Sequence, residues 1–138
     1  IPIQGLENSM KKIQEIFVVL ENRPGTTGEL CRILKKKRIA IYAIGVFLDT
    51  ARLYVTKPEV AAEVLRENGY EVETREVLCV ELPNRVGAMM ELTMKLGNAG
   101  INIEYFYGTT GERQKKGIII LEVDNSKLAL DIFHNHRF

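Results

Sequence analysis

The chain repeats itself. Asn22-Arg23-Pro24-Gly25 returns as Asn84-Arg85-Val86-Gly87 at an offset of 62 residues. The same offset superposes Glu29 on Glu91, Leu30 on Leu92, Leu34 on Leu96, Ile39 on Ile101 and Ile41 on Ile103. That makes eight identities in the 24 ungapped positions from 22 to 45. Duplication on this scale constrains the fold before any single element is assigned, because both copies must build the same supersecondary unit. Two modules are expected, over residues 10–75 and 76–138, each with a strand that breaks at a polar-Gly turn and re-enters as a helix.

Residues 13–20 are β-branched and aromatic-rich, the pattern of a strand buried on nearly both faces. After the turn, Leu30, Ile33 and Leu34 stand at helical spacing, and Lys35-Lys36-Lys37-Arg38 closes the helix where cations suit its dipole. Thr26 and Glu29 have the spacing of a capping box. A strand over 39–48, a turn at Asp49-Thr50 and a strand over 52–56 come next. Pro58 opens a second helix, Val60, Val64 and Leu65 give its apolar stripe, and Asn68-Gly69 ends it. Residues 70–82 are extended again, long enough to close the first copy and open the second. The order strand, helix, strand, strand, helix, strand is the ferredoxin-like βαββαβ arrangement, an α+β fold.

The second copy predicts a helix over 88–99 with Gly100 after it, and strands over 101–108 and 117–123. The intervening turn, 109–116, is longer than its counterpart. A last helix, capped by Asp124-Asn125-Ser126, carries Leu128, Leu130, Ile132 and Phe133. No final strand follows in the second copy. Residues 1–9 or a second chain are the candidates to fill that edge. Residues 1–9 align with nothing in the second copy and are otherwise expected to be a leader or expression-derived segment.

Composition excludes several functions. With 19 basic and 18 acidic side chains the net charge is +1, which gives no electrostatic reason to expect nucleic acid or an anionic membrane. The exposed rings that RNA-recognition sheets present are missing from 116–121. No apolar run approaches a membrane span, so a cytoplasmic protein is expected. Cys31 and Cys79 lack CxxC spacing and read as buried reduced thiols. His134 and His136, the only histidines, have no nucleophile or further ligands at useful spacing. No catalytic residue, metal or cofactor is expected.

What remains is the repeated turn. A strand that ends in Asn, turns at Gly and enters a helix gathers free backbone N–H groups at one point, suited to a carboxylate or phosphate. Gly25 and Gly87 let a ligand or another backbone approach closely.

Here the sequence resembles the ACT domain, whose strand–(D/N)-R-P-G-x-x-(G/A)-x-L–helix–I-x-I pattern is matched by Asn22-Arg23-Pro24-Gly25, Leu30 and Ile39-Ala40-Ile41. The second copy has Val86 in the Pro position and gains Gly100-Ile101-Asn102-Ile103. The resemblance covers residues 13 to about 133. It implies ACT modules paired side by side, with an amino-acid effector held between the strand-to-helix loop of one module and the second strand of its neighbour. Carried onto this chain, the loop positions are Asn22, Gly25, Thr26 and Thr27, with Asn84, Val86, Gly87 and Ala88 in the second copy. The second-strand positions are Ala43, Ile44 and Gly45, and Tyr105, Phe106 and Tyr107. Tyr105 and Tyr107 should point to one face of the strand and Phe106 to the other.

The two corners differ in one respect. Thr26, the expected cap, aligns with Ala88, so the second helix start is expected to be the one left open to a ligand carboxylate. A charge-assisted hydrogen bond there contributes about 1.5–3 kcal/mol, enough to orient an amino acid. The expected function is therefore an amino-acid-binding regulatory protein that self-associates as a homodimer. The alternative is a non-catalytic subunit that docks on a biosynthetic enzyme, similar to the small subunit of acetolactate synthase.

Overall fold

The computed structural model describes residues 9–138. Among these residues are six strands and four helices: β1 (Met10–Val19), α1 (Thr26–Lys36), β2 (Ile41–Phe47), β3 (Thr50–Val55), α2 (Pro58–Glu67), β4 (Val72–Pro83), α3 (Ala88–Asn98), β5 (Ile103–Thr109), β6 (Lys116–Val123) and α4 (Ser126–Ile132). The fold is α+β with ferredoxin-like order, and β4 both ends one βαββαβ run and begins the next. The chain forms two compact units. One is Gln14–Glu76; the other is Val77–Phe138 together with the described residues up to Ile13.

In the first unit the strands lie in the order β2-β3-β1-β4, with Ile16 opposite Leu53 and Leu53 opposite Ile44 in antiparallel register. Alternation sends Ile16, Val18 and Leu20 to one face, where Leu30 and Leu34 of α1 and Leu65 of α2 meet them. Val60, expected on the apolar stripe of α2, is instead 42% exposed. Ala61 and Ala62 take its place in the core, and their small side chains let the helix pack closely.

The second unit has the order β1-β4-β6-β5, with Cys79 opposite Ile120 and Phe106 opposite Leu121. Its core joins Leu78, Val80, Leu82, Leu92, Leu96, Leu121 and Phe133. The strand that the second copy does not supply is replaced by the first half of β1. Met10 is fully buried in this core, and Glu81 N–H donates to the Ser9 carbonyl at 3.0 Å. Ten residues further along the same strand, Val19 N–H donates to the Glu71 carbonyl at 3.1 Å, within the first unit. β1 thus gives one half to each unit. Burying Met10 contributes about 1.5–3 kcal/mol, and pairing satisfies an otherwise open strand edge. Apart from Ser9, the 1–9 segment lies outside the described residues.

The helix ends follow their chemistry. Gly69 (φ +88°) and Gly100 (φ +76°) take the left-handed conformation after α2 and α3. The Asn125 side chain accepts from Leu128 N–H at 3.0 Å and caps α4. No helix among the described residues is long and apolar enough to cross a membrane.

Candidate functional site

The two repeated corners are superposable down to single hydrogen bonds. Arg23 N–H reaches the Glu21 carbonyl at 3.0 Å, and Arg85 N–H reaches that of Pro83 at 2.9 Å. Gly25 and Gly87 are the residues before α1 and α3, at φ +89°, ψ −12° and φ +90°, ψ −11°. Their carbonyls accept from Glu29 and Glu91 N–H at 3.0 and 2.9 Å.

The capping box predicted at Thr26 does not form. With Gly25 in the left-handed region, Thr26 becomes the first helical residue and its hydroxyl faces back into the loop. There it donates to the Glu21 and Arg23 carbonyls at 2.8 and 3.1 Å. Glu29 turns to Arg32, which holds its carboxyl below the usual range. Neither α1 nor α3 has a side-chain cap, so both present first-turn N–H groups that their own helix cannot satisfy. The contrast expected from Thr26 against Ala88 is absent.

The corners differ in what surrounds them. In the second unit a crevice of about 580 Å³ lies between the corner and β5, walled by Leu82, Pro83, Asn84, Arg85, Ala88 and Met89 on one side. Phe106 through Thr110, Gly117 and Ile119 form the other. In the first unit a crevice of about 610 Å³ lies against the loop after α2. It is lined by Val19, Leu20, Pro24, Gly25, Thr26 and residues 68–70, with four charged side chains, Glu21, Arg23, Glu29 and Glu71, among them. Each crevice is formed within a single unit.

Of the residues expected at a site, Asn84, Ala88, Phe106 and Tyr107 meet around the second-unit crevice, and Gly25 and Thr26 line the first-unit one. The others line neither. Asn22 is exposed, Thr27 is half-buried, and Val86 is fully exposed. Gly87 sets the turn without facing the crevice. Ala43, Ile44 and Gly45 lie on β2 away from both crevices, paired with Tyr54, Leu53 and Arg52. Tyr105 and Tyr107 are half-buried and Phe106 is exposed, the alternation expected, but the crevice takes in both Phe106 and Tyr107 and leaves Tyr105 out.

Sequence reasoning missed Arg85, Met89 and the Gly108–Thr110 stretch. The signal available was the long β5–β6 turn. Asn84 shows why it matters: its side-chain amide donates to the Gly111 and Gln114 carbonyls at 3.1 and 2.9 Å, and its N–H to that of Lys115 at 2.8 Å. The turn is thereby tied to the corner. Gly108 and Gly117 allow the strands to close beside it. A Cβ at Gly117 would stand 2.7 Å from Thr110 Cβ and 2.9 Å from the Thr109 carbonyl oxygen.

Charges around the second corner are linked. Arg85 donates to Glu91 at 2.9 Å, and this bond, with help from His136, holds the Glu91 carboxyl below the usual range. Among the described residues no group of three or more His, Cys, Asp or Glu could hold a metal ion.

A family model described as an ACT domain pair matches residues 11–137. No curated protein sequence matches. Among solved structures, a Bacteroides thetaiotaomicron protein superposes with a TM-score of 0.79 at 23% identity, covering 90% of this chain and 88% of that one. The ligand-free regulatory subunit of aspartate kinase from Thermus thermophilus gives 0.68 at 16% identity, covering 94% and 95%. Its counterpart from Thermus flavus gives 0.64 at 19%, covering 91% and 95%. At such identities these structures share the fold.

Proposed function

This chain belongs to the family of paired ACT domains, regulatory rather than catalytic modules, and we propose that it binds an amino acid with an apolar side chain in its second-unit crevice. The observation that carries this reading is the composition of that crevice. The open N-terminus of α3 is suited to the ligand carboxylate, while Leu82, Ala88, Met89, Phe106 and Ile119 give a wall for an uncharged side chain. No carboxylate side chain lines it, so a lysine or arginine side chain finds no counter-charge. The first-unit crevice, lined by Glu21, Glu29 and Glu71, is a poorer place for a ligand carboxylate.

The regulatory form we propose is a homodimer whose pairing is shifted by the bound effector, with a coupling of about 1–3 kcal/mol. A thermal-shift screen of the proteinogenic amino acids tests the binding. Leucine, isoleucine, valine, methionine or phenylalanine should raise the melting temperature, since at a hundredfold excess over Kd a ligand adds about 2.7 kcal/mol. A screen in which no amino acid stabilises the protein overturns the reading.

The second reading is a regulatory subunit docked on an enzyme of amino-acid biosynthesis. It is favoured by the Thermus structures, named as subunits of aspartate kinase and covered almost end to end by this fold. Co-purification of a larger enzyme with the tagged chain would support it; a chain recovered only with itself would not.

A further inference from the structure

Two differences between the repeats rewire the ion pairs at the second corner. In the first unit both partners are local: Arg23 pairs with Glu21, and Glu29 pairs with Arg32 along α1. At the offset of 62, Pro83 stands for Glu21 and Met94 for Arg32. Arg85 and Glu91 each lose the nearby partner their counterparts have, and they bond to one another at 2.9 Å across the start of α3.

The second oxygen of Glu91 lies 3.3 Å from Nε2 of His136, in the segment that follows α4. That nitrogen is buried and closes no hydrogen bond of its own. On the ring's other side Nδ1 is 2.8 Å from Lys95 Nζ. A lysine ammonium only donates, so Nδ1 accepts and the ring proton sits on Nε2, facing Glu91. The imidazole is fixed edge-on by Phe133 and Phe138, with ring centres 5.1 and 4.5 Å away. The first unit has Tyr70 in the corresponding place, one residue past the left-handed Gly69 as His136 is one past the left-handed Asn135. A chain of contacts therefore runs from the rings of 133–138 through His136 and Glu91 to Arg85, which lines the crevice.

We propose that His136 is a positioning residue for the second-unit crevice: through Glu91 it holds Arg85 against the wall, so the segment 133–138 sets how tightly the crevice takes its ligand. The claim about affinity rests on the binding reading above; the claim about Arg85 does not. Coupling of this kind is reciprocal, so an occupied crevice also tightens the docking of 133–138.

Two variants test it. His136→Phe keeps the aromatic packing and removes the contact to Glu91. Met94→Arg restores to Glu91 the partner that Glu29 has, at a position 56% exposed where the fold tolerates it. Without ligand, both should shift the Arg85 Nε–H signal and the amide signals of 84–88 in ¹H–¹⁵N spectra. In the full chain both should also weaken L-leucine binding by roughly three- to tenfold, as expected when the guanidinium beside the ligand is no longer held in place. Met94→Arg should do so with an unchanged urea midpoint, which a purely structural effect would not. Unmoved Arg85 and loop signals in both variants overturn the positioning role. If those signals move while wild type binds no amino acid, the positioning stands and the binding reading falls.

Discussion

The Arg52 guanidinium lies 3.0 Å from the carboxylate of Glu15, whose side chain is fully buried. Both stand on the opposite face of the first-unit strands from Ile16 and Leu53, away from α1 and α2. Two residues beyond Glu15 on the same strand, the Phe17 ring has the Arg52 and Arg75 guanidinium groups 4.8 and 5.2 Å from its centre. Removing Arg52 takes one charged partner from a buried carboxylate. Arg52→Met should therefore cost about 1–3 kcal/mol in urea unfolding, and adding Glu15→Met should recover most of that loss. A double variant no more stable than the single one would show that the pair does not carry the cost.

Asn84 and Asn22 are the same residue in the repeat with different duties. Asn84→Ala removes two hydrogen bonds to the 110–115 turn and should cost about 1–2 kcal/mol, with faster amide exchange across that turn. Asn22 is exposed and has no such turn to hold, so Asn22→Ala should stay within about 0.5 kcal/mol. Equal effects in chemical denaturation would remove the argument for the turn's role.

The two glycines that let β5 and β6 close differ in what a methyl group would meet. At Gly108 a Cβ would stand 2.3 Å from the end of the Ile119 side chain and 3.0 Å from the Ile118 carbonyl oxygen, and the first of these can be relieved by a change of rotamer. At Gly117 the obstacles are Thr110 Cβ and the Thr109 backbone carbonyl. Gly117→Ala should lower the melting temperature more than Gly108→Ala, the former costing about 1–3 kcal/mol as overpacking does. Both variants should also narrow the crevice and weaken any amino acid found to bind there.

The cysteines should separate by reactivity. Burial pushes the Cys79 thiol up to about 11, whereas Cys31 is half-buried on α1. At pH 8 a thiol reagent should modify Cys31 in the folded protein and reach Cys79 only on unfolding. The sign of the pH effect follows. Between the unfolded value near 9 and the folded value near 11, the native state holds a proton that the unfolded chain has lost. Stability should therefore fall as pH rises through that interval, by at most about 1.4 kcal/mol per unit, and Cys79→Ala should flatten the slope.

Much of this was legible in the residues. The repeat set the module and its order, because from the corner through the second strand the 3.6-residue and two-residue periodicities switch at the same offset in both copies. The turns Asn68-Gly69 and Gly100 were visible because only a residue tolerant of positive φ ends a helix that way. Three things were hidden. Thr26 has a capping residue's spacing, yet the left-handed Gly25 moves the helix start by one residue, a backbone fact that composition does not carry. The missing strand could not be found by looking beyond α4, since the first half of β1, more than a hundred residues upstream of that helix, supplies it. The rewired Arg85 depends on what Pro83 and Met94 fail to offer, which a search for matching residues passes over.

The loan of Met10 and its neighbours to the second core has a bearing on how such a protein can evolve and be dissected. A gene cut at the seam of the repeat would strand that borrowed stretch on the wrong product, leaving 77–138 one β-segment short. The second copy therefore depends on a stretch encoded ahead of the first, so that half cannot be traded or expressed alone, and for inheritance the duplication travels as a single object.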